Sequence, residues 1–142
     1  MFKGQRLATL LFVFAAQMVA IPLHAVQLRF DKPDQKKLLN SHIYFTRDSY
    51  VEVNEKSLKL LDGDIWISES QKLKVETVYG DFVIDGKNAF ISMDLKKDQV
   101  TIRLGNARAL IRDRSGDVVP LNFGEEMWVG ALTRDGKQLR GA

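Results

Sequence analysis

Between Val75 and Leu95 apolar and polar residues alternate at a spacing of two, and glycine punctuates the run at Gly80 and Gly86. Residues two apart along an extended chain share a face. Leu73, Val75 and Thr77, then Phe82 and Ile84, then Ile91 and Met93 opposite Phe90 and Ser92, therefore predict three short strands that each bury one side of a sheet. A helix would place its apolar residues three and four apart, and no segment after Asn40 sustains that period. The unit Gly80-Asp81-Phe82-Val83-Ile84 recurs as Gly63-Asp64-Ile65-Trp66-Ile67 and, more loosely, as Gly116-Asp117-Val118-Val119. The chain repeats a turn followed by a strand.

The flanking segments extend the pattern. Val26, Leu28 and Phe30 alternate with Gln27 and Arg29, and Pro33 then interrupts. Asp34 to Asn40 is read as one or two helical turns capped by Asp34, with a loop as the competing reading. His42 to Phe45 and Tyr50 to Val53 predict a hairpin, and Leu58 to Leu61 leads into Gly63. Val100, Ile102 and Leu104 alternate cleanly; Gly105-Asn106 predicts a turn and Ala107 to Arg112 the returning strand. Pro120 marks Val118 to Leu121 as an edge or a bulge, because proline has no N–H for a ladder. Glu126 to Leu132 is the last predicted strand. About ten short strands make an all-β domain.

The first 25 residues read as a helical signal peptide: Lys3 and Arg6 precede an apolar run from Leu7 to Ala20, and Pro22 breaks it before Leu23-His24-Ala25. Cleavage after Ala25 is the expectation, an uncleaved membrane anchor the alternative. The division that follows is a signal at 1–25, N-terminal strands and linker at 26–56, the main β domain at 57–132 and a flexible tail at 133–142. The whole chain has 21 basic and 18 acidic residues. Removal of Lys3 and Arg6 leaves 19 against 18, a balance that gives no electrostatic reason to expect nucleic acid. The chain lacks cysteine, which excludes a disulfide scaffold and a lipid-modified N-terminal cysteine. About 117 residues suffice for a core without such staples.

The run from Leu60 to Gly130 resembles the FecR-like periplasmic domain. The resemblance is carried by Leu61-Asp62-Gly63-Asp64-Ile65, by Val75-Glu76-Thr77 with Gly80-Asp81-Phe82-Val83-Ile84, and by Phe90-Ile91. It continues through Val100 to Gly105 and Ala107 to Ile111, and closes with Val118 to Leu121 before Phe123-Gly124-Glu125. It implies an elongated β-roll or solenoid-like sandwich outside the cytoplasm. The best-known members of that family relay signals from a loaded outer-membrane transporter to a sigma factor held by a cytoplasmic segment. Only a handful of residues precede the apolar run here, so that role is not expected to carry over. A stand-alone exported domain of the envelope is what the resemblance leaves.

The inventory for catalysis is thin. Beyond the signal the chain has one histidine, His42, at a predicted strand start and without a Gly-x-Ser-x-Gly elbow. A zinc site without cysteine would need carboxylates around that one imidazole. The pairs Asp62 with Asp64, Asp81 with Asp85 and Glu125 with Glu126 lie mostly beside glycine, where carboxylates cap turns. No catalytic residue, metal site or cofactor is expected. Trp66, between Ile65 and Ile67, and Trp128, between Met127 and Val129, are the candidate binding residues. If their neighbours face inward, both indoles face outward as a contact patch; if the roll buries both faces, both are core. The expected function is non-enzymatic binding of an envelope protein or polymer, periplasmic or secreted, with membrane attachment only through an uncleaved signal. The alternative is a lipid carrier whose β-roll has an open apolar groove.

Overall fold

The computed structural model describes residues 25–133, 136 and 138–142. The expected helical signal thus lies outside the described residues except for Ala25. Among the described residues there is no helix, and none long and apolar enough to cross a membrane. Among the described residues eleven strands form one open sheet: β1 (Val26–Arg29), β2 (Asp34–Leu38), β3 (Ser41–Phe45), β4 (Tyr50–Val53), β5 (Leu58–Asp62), β6 (Asp64–Glu76), β7 (Gly80–Asp94), β8 (Gln99–Asp113), β9 (Val118–Leu121), β10 (Glu126–Leu132) and β11 (Gln138–Gly141).

Three long antiparallel strands, β6, β7 and β8, organise the rest. Each changes phase in its middle. In β7 the buried side chains fall at Phe82 and Ile84, then at Ala89, Ile91 and Met93; in β8 they fall at Val100, Ile102 and Leu104, then at Ala107, Ala109 and Ile111. In β6 the pairing with β7 slips by one residue between Ser70 and Leu73, and Lys72 takes φ 47°. Gly86, at φ 124°, stands opposite both Ser70 and Ala107, so the three irregularities lie on one line across the sheet. A Cβ at Gly86 would come within 2.5 Å of the Asn106 carbonyl oxygen, which excludes any larger residue there. Bulges bend a strand and restore its alternation. Here they let both halves of each long strand bury their apolar side chains toward one core.

Short strands then pair with one half only. On one side of the bend β2, β3, the start of β6, the end of β7, the start of β8, β10 and β11 form one layer. On the other side β1, β4, β5, the end of β6, the start of β7, the end of β8 and β9 form the second. β5 and β6 are parallel, Leu58 opposite Val75, although only Gly63 separates them in sequence. The chain leaves one layer at Gly63, traverses the other, and returns through the bend to lie beside its own start. Gly63 has φ 89°, and a Cβ there would fall 2.7 Å from Ser49 Cα. Its carbonyl accepts from the Met93 amide at 2.9 Å, while Asp62 Oδ1 accepts from its amide at 2.8 Å.

Both layers feed one core, from Phe30 and Ile43 through Phe82 and Ile91 to Val129. Strands within 26–56 share it with those of 57–132. Ile43, Val51, Leu58, Leu60, Ile67, Val75, Phe82 and Ile84 are sealed from solvent, each at 0% exposure. An open apolar trough would leave such side chains accessible, so this packed interior does not provide the groove that lipid carriage requires.

Several local expectations are corrected. Asp34–Leu38 is a strand opposite Ser41–Phe45, and not a helical turn, because Leu39 and Asn40 adopt positive φ and close a tight hairpin. The pieces expected over Gly80 to Leu95 are one strand, and Gly105-Asn106 lies within β8 opposite Lys87 and its neighbours. Glycine there marks a bend, and not a chain reversal. Pro120 does lie on an edge: among the described residues β9 pairs with β8 alone. The polar tail returns as β11 against Trp128 to Leu132.

That last strand is clipped by charge. Asp113, 2% exposed at the end of β8, accepts from the Ser115 hydroxyl at 2.5 Å and from the amides of Ser115 and Asp117 at 3.0 and 3.1 Å. The Arg140 guanidinium of β11 donates to its other oxygen. Burial opposes ionisation of Asp113, but these donors and the Arg140 charge outweigh it and hold the carboxyl below its ordinary value. Arg114 completes the corner, gripping Asp81 at 2.9 and 3.3 Å and donating to the carbonyls of Thr77 and Val78.

Two predictions follow from this architecture. Gly63→Ala is expected to lower the unfolding free energy in urea by about 1–3 kcal/mol, since both the left-handed backbone and the Ser49 contact penalise a Cβ. Asp113→Asn is expected to cost about 1.5–3 kcal/mol at neutral pH, the range for hydrogen bonds to a charged group. A carboxyl whose folded pKa is depressed stabilises fully above its unfolded value, about 3.9, and that contribution is lost as pH falls through the folded value. The gap between wild type and Asp113→Asn, read from denaturation curves at neutral and acidic pH, should therefore shrink below about pH 4.

Candidate functional site: an outward aromatic rung

The outer face of the first layer carries one continuous row of opposed residues. Gln35 stands opposite Tyr44, Tyr44 opposite Trp66, Trp66 opposite Phe90, Phe90 opposite Arg103, and Arg103 opposite Glu126. Alternation dictates this placement. Ile43 and Phe45, Ile65 and Ile67, and Ala89 and Ile91 are buried, so the residue between each pair must project outward. The rings of Tyr44 and Trp66 stack with centroids 4.6 Å apart and planes at 20°, and those of Trp66 and Phe90 at 5.8 Å and 3°. The Arg103 guanidinium carbon lies 5.2 Å from the centre of the Phe90 ring and ends the stack.

The stack is held from below and from the side. Trp66 Nε1 donates to Asn88 Oδ1 at 3.3 Å, and Asn88, at φ 66°, belongs to the line along which the sheet bends. The bend and the rung are thus mechanically joined. Tyr44 and Phe90 remain 37% and 39% exposed, and Trp66 is half-buried between them. Beside the rung runs a shallow groove of ≈ 720 Å³ lined by Pro33, Gln35, Thr46, Asp64 and the aromatic side chains. Asp64 projects on the same face as Trp66, and its Oδ1 accepts the Ser92 hydroxyl at 2.5 Å.

Of the two residues singled out from sequence, Trp66 is the centre of this rung. Trp128 projects from the same face, opposite Thr101, and is half-buried because its indole lies on the backbone of Gly141 in β11. Neither is core and neither is fully exposed. Three strand spacings and two residues separate them, roughly 16 Å at about 4.8 Å per strand and 3.3 Å per residue. The fold therefore does not bring them into one cluster. Tyr44, Phe90 and Arg103 complete the rung and were not singled out. Their outward direction is written in the alternation; their alignment depends on the register of four strands.

The other candidates resolve as structural groups. Asp62 caps Gly63, Asp85 Oδ1 accepts from the Lys72 amide at 3.3 Å, Asp81 pairs with Arg114, and Glu125 Oε1 accepts from the Asn122 amide at 2.7 Å. His42 is exposed, with Lys37 and Glu69 as its cross-strand neighbours. Among the described residues no group of three or more His, Cys, Asp or Glu is placed to hold a metal ion.

No family model and no curated relative matches the chain. Its fold is similar to that of a candidate anti-sigma factor from Parabacteroides distasonis. Two crystal structures of that protein match with TM-scores of 0.63 and 0.64 at 11% identity, over 82% of this chain. The chain spans 59% of the length of that protein's chain. Identity this low establishes a shared fold and says nothing of the rung.

The stacking geometry predicts an energetic link across strands. A double-mutant cycle of Trp66→Leu and Phe90→Leu, read by urea denaturation, is expected to give a coupling of about 0.5–1.5 kcal/mol. Additive losses would show that the rings stand side by side without interacting.

Proposed function

We propose that this chain is a non-enzymatic, exported FecR-like domain of the bacterial envelope that binds a protein partner or an envelope polymer through the outer face of its first layer. The single observation that carries the reading is the rung of Tyr44, Trp66 and Phe90, held at fixed spacing on a rigid sheet and left partly exposed. Large aromatics contribute most of the energy at contact surfaces, and a rung already ordered loses little entropy on binding. The likeness in fold to a candidate anti-sigma factor supports a role in contact with other proteins. The residue inventory supports the absence of catalysis, since His42 stands exposed between Lys37 and Glu69 and most of the paired carboxylates are engaged in structural hydrogen bonds and ion pairs. The positively charged, apolar leader supports a periplasmic or secreted location, with residues 1–25 removed and the folded body running from β1 through β11.

Retention from a detergent-free envelope extract tests this. The immobilised protein is expected to hold a partner that elutes reproducibly, and Trp66→Ala to reduce the retained amount at least about tenfold, in line with loss of a central aromatic anchor. Equal retention by Trp66→Ala would move the contact elsewhere on the surface. No retention by the wild type would remove the binding reading.

A further inference from the structure

We propose that the free edge of β1 pairs with β1 of a second copy of this chain, antiparallel about a two-fold axis at Leu28, and so continues the second layer across a closed dimer. This goes beyond the binding reading above and uses a different part of the surface. Three observations converge on it.

The first is how the edges are finished. Among the described residues each layer has two edge strands, β2 and β11 in the first, β1 and β9 in the second. An open edge invites pairing with another chain, and proline or a charged side chain on the core side discourages it. β9 carries proline. The Asp113 amide donates to the Asp117 carbonyl at 3.0 Å, so alternation turns the ladder groups of Val119 and Leu121 toward β8 and leaves Pro120, without an N–H, at the free edge. β2 carries Lys36 opposite the buried Ile43, and β11 carries Arg140 opposite the buried Val129, so each places a cation on the core side. β1 has neither device. Val26 and Leu28 lie opposite Val53 and Val51 on its core side, and Phe30 follows them.

The second is the state of β1 itself. The Phe30 amide donates to the Ser49 carbonyl at 3.0 Å, so the ladder groups of Leu28 and Val26 turn toward β4, and those of Gln27 and Arg29 toward the free edge. Both outer side chains are drawn back over β4. The Tyr50 hydroxyl donates to Gln27 Oε1 at 2.7 Å, and the Arg29 guanidinium carbon lies 4.1 Å from the centre of the Tyr50 ring. The edge is thus unobstructed. The second layer reaches three strands beyond β6 and the first only two, and on this overhang Val26 is 57% exposed and Leu28 half-buried.

The third is self-complementarity. With the two Leu28 residues opposed, Gln27 of each copy meets Arg29 of the other, and these pairs exchange their free N–H and C=O groups. A neutral side chain faces each guanidinium, so no like charges are opposed. On the core side Val26 of each copy lies beside Phe30 of the other, and the exposed valine gains an aromatic neighbour. A head-to-tail contact would need a second compatible edge, and the other three are guarded; a two-fold contact uses β1 twice and closes.

Sedimentation equilibrium of the full chain, purified as the exporting cell delivers it, tests the inference. A reversible dimer is expected, with a dissociation constant in the micromolar range typical of a small interface. Gln27→Pro should raise that constant at least about tenfold. This substitution copies Pro120: it removes an N–H from the free edge and leaves the ladder to β4 whole, which amide exchange at Val51 and Val53 checks. The chain has no cysteine of its own, so single cysteines report the register. Leu28→Cys should oxidise to a cross-linked dimer, because opposed Cα atoms of such a pair lie about 4.5 Å apart. Val26→Cys, about 13 Å from its symmetry mate at about 3.3 Å per residue, should stay reduced. In the unsubstituted protein the amides of Gln27 and Arg29 should gain protection from exchange as concentration rises. A monomer at every concentration, a dimer indifferent to Gln27→Pro, equal oxidation of the two cysteine variants, or a different protein held at β1 in place of the second copy would overturn the inference. Trp66→Ala should leave the dimer intact, which keeps this test separate from that of the rung.

Discussion

A single line of backbone irregularities sustains this molecule. Straight strands of thirteen to fifteen residues would present a flat ribbon with alternate residues on two faces, and no layer would cover either one. Because β6, β7 and β8 all shift phase at the same level, near Ser70, Gly86 and Gly105, the ribbon folds and the apolar residues of both halves meet. Each fully buried Leu, Ile or Phe contributes about 1.5–3 kcal/mol, and those contributions are available only if the two halves face each other. The core is the consequence of the bend, and the bend persists because the core is closed.

The same line fixes the surface. Asn88 takes a left-handed backbone conformation within the bend, a region that asparagine tolerates better than most residues, and from there it holds the indole of Trp66. The side chains beneath the rung, Ile43, Ile65, Ile67, Ala89 and Ile91, are almost wholly buried, so the strands that carry Tyr44, Trp66 and Phe90 have no freedom to slide. A slip of one residue would send the aromatic residues inward and the isoleucines outward. The cost of that exchange is what keeps three rings in register on an open surface.

Charge does its work at the opposite corner. Arg140 reaches from the last strand to the buried Asp113, and Arg114 ties Asp81 to the Thr77 turn. Tyr79, buried at the same turn, donates to Asp98 at 2.7 Å, and burial followed by that acceptor pushes its hydroxyl up to about 12. It therefore stays protonated, and a donor, at neutral pH. The layer that presents the rung and the corner that holds the last strand are thus stabilised by different physics, apolar burial in one and charge-assisted hydrogen bonds in the other.

The sequence by itself determined the class of structure. A period of two, carried through nearly every segment, permits strands and little else, and the same period sends Trp66 and Trp128 to the face opposite their buried neighbours. It also marked Pro120 as an edge or a bulge, because a missing N–H is a local property, whereas Asp81 and Asp85 lie within β7 and find their partners, Arg114 and Lys72, on other strands and loops. What only the tertiary structure decided depends on residues far apart. Glycine looks alike in a turn and in a bend, so Gly86 and Gly105 read as strand ends until their cross-strand partners are known. Asp34 to Leu38 becomes a strand through pairing with Ser41 to Phe45 and through the two left-handed residues between them. Above all, the rung exists because four separate strands agree in register, and register is set by the packing of the whole core and not by any local stretch of sequence.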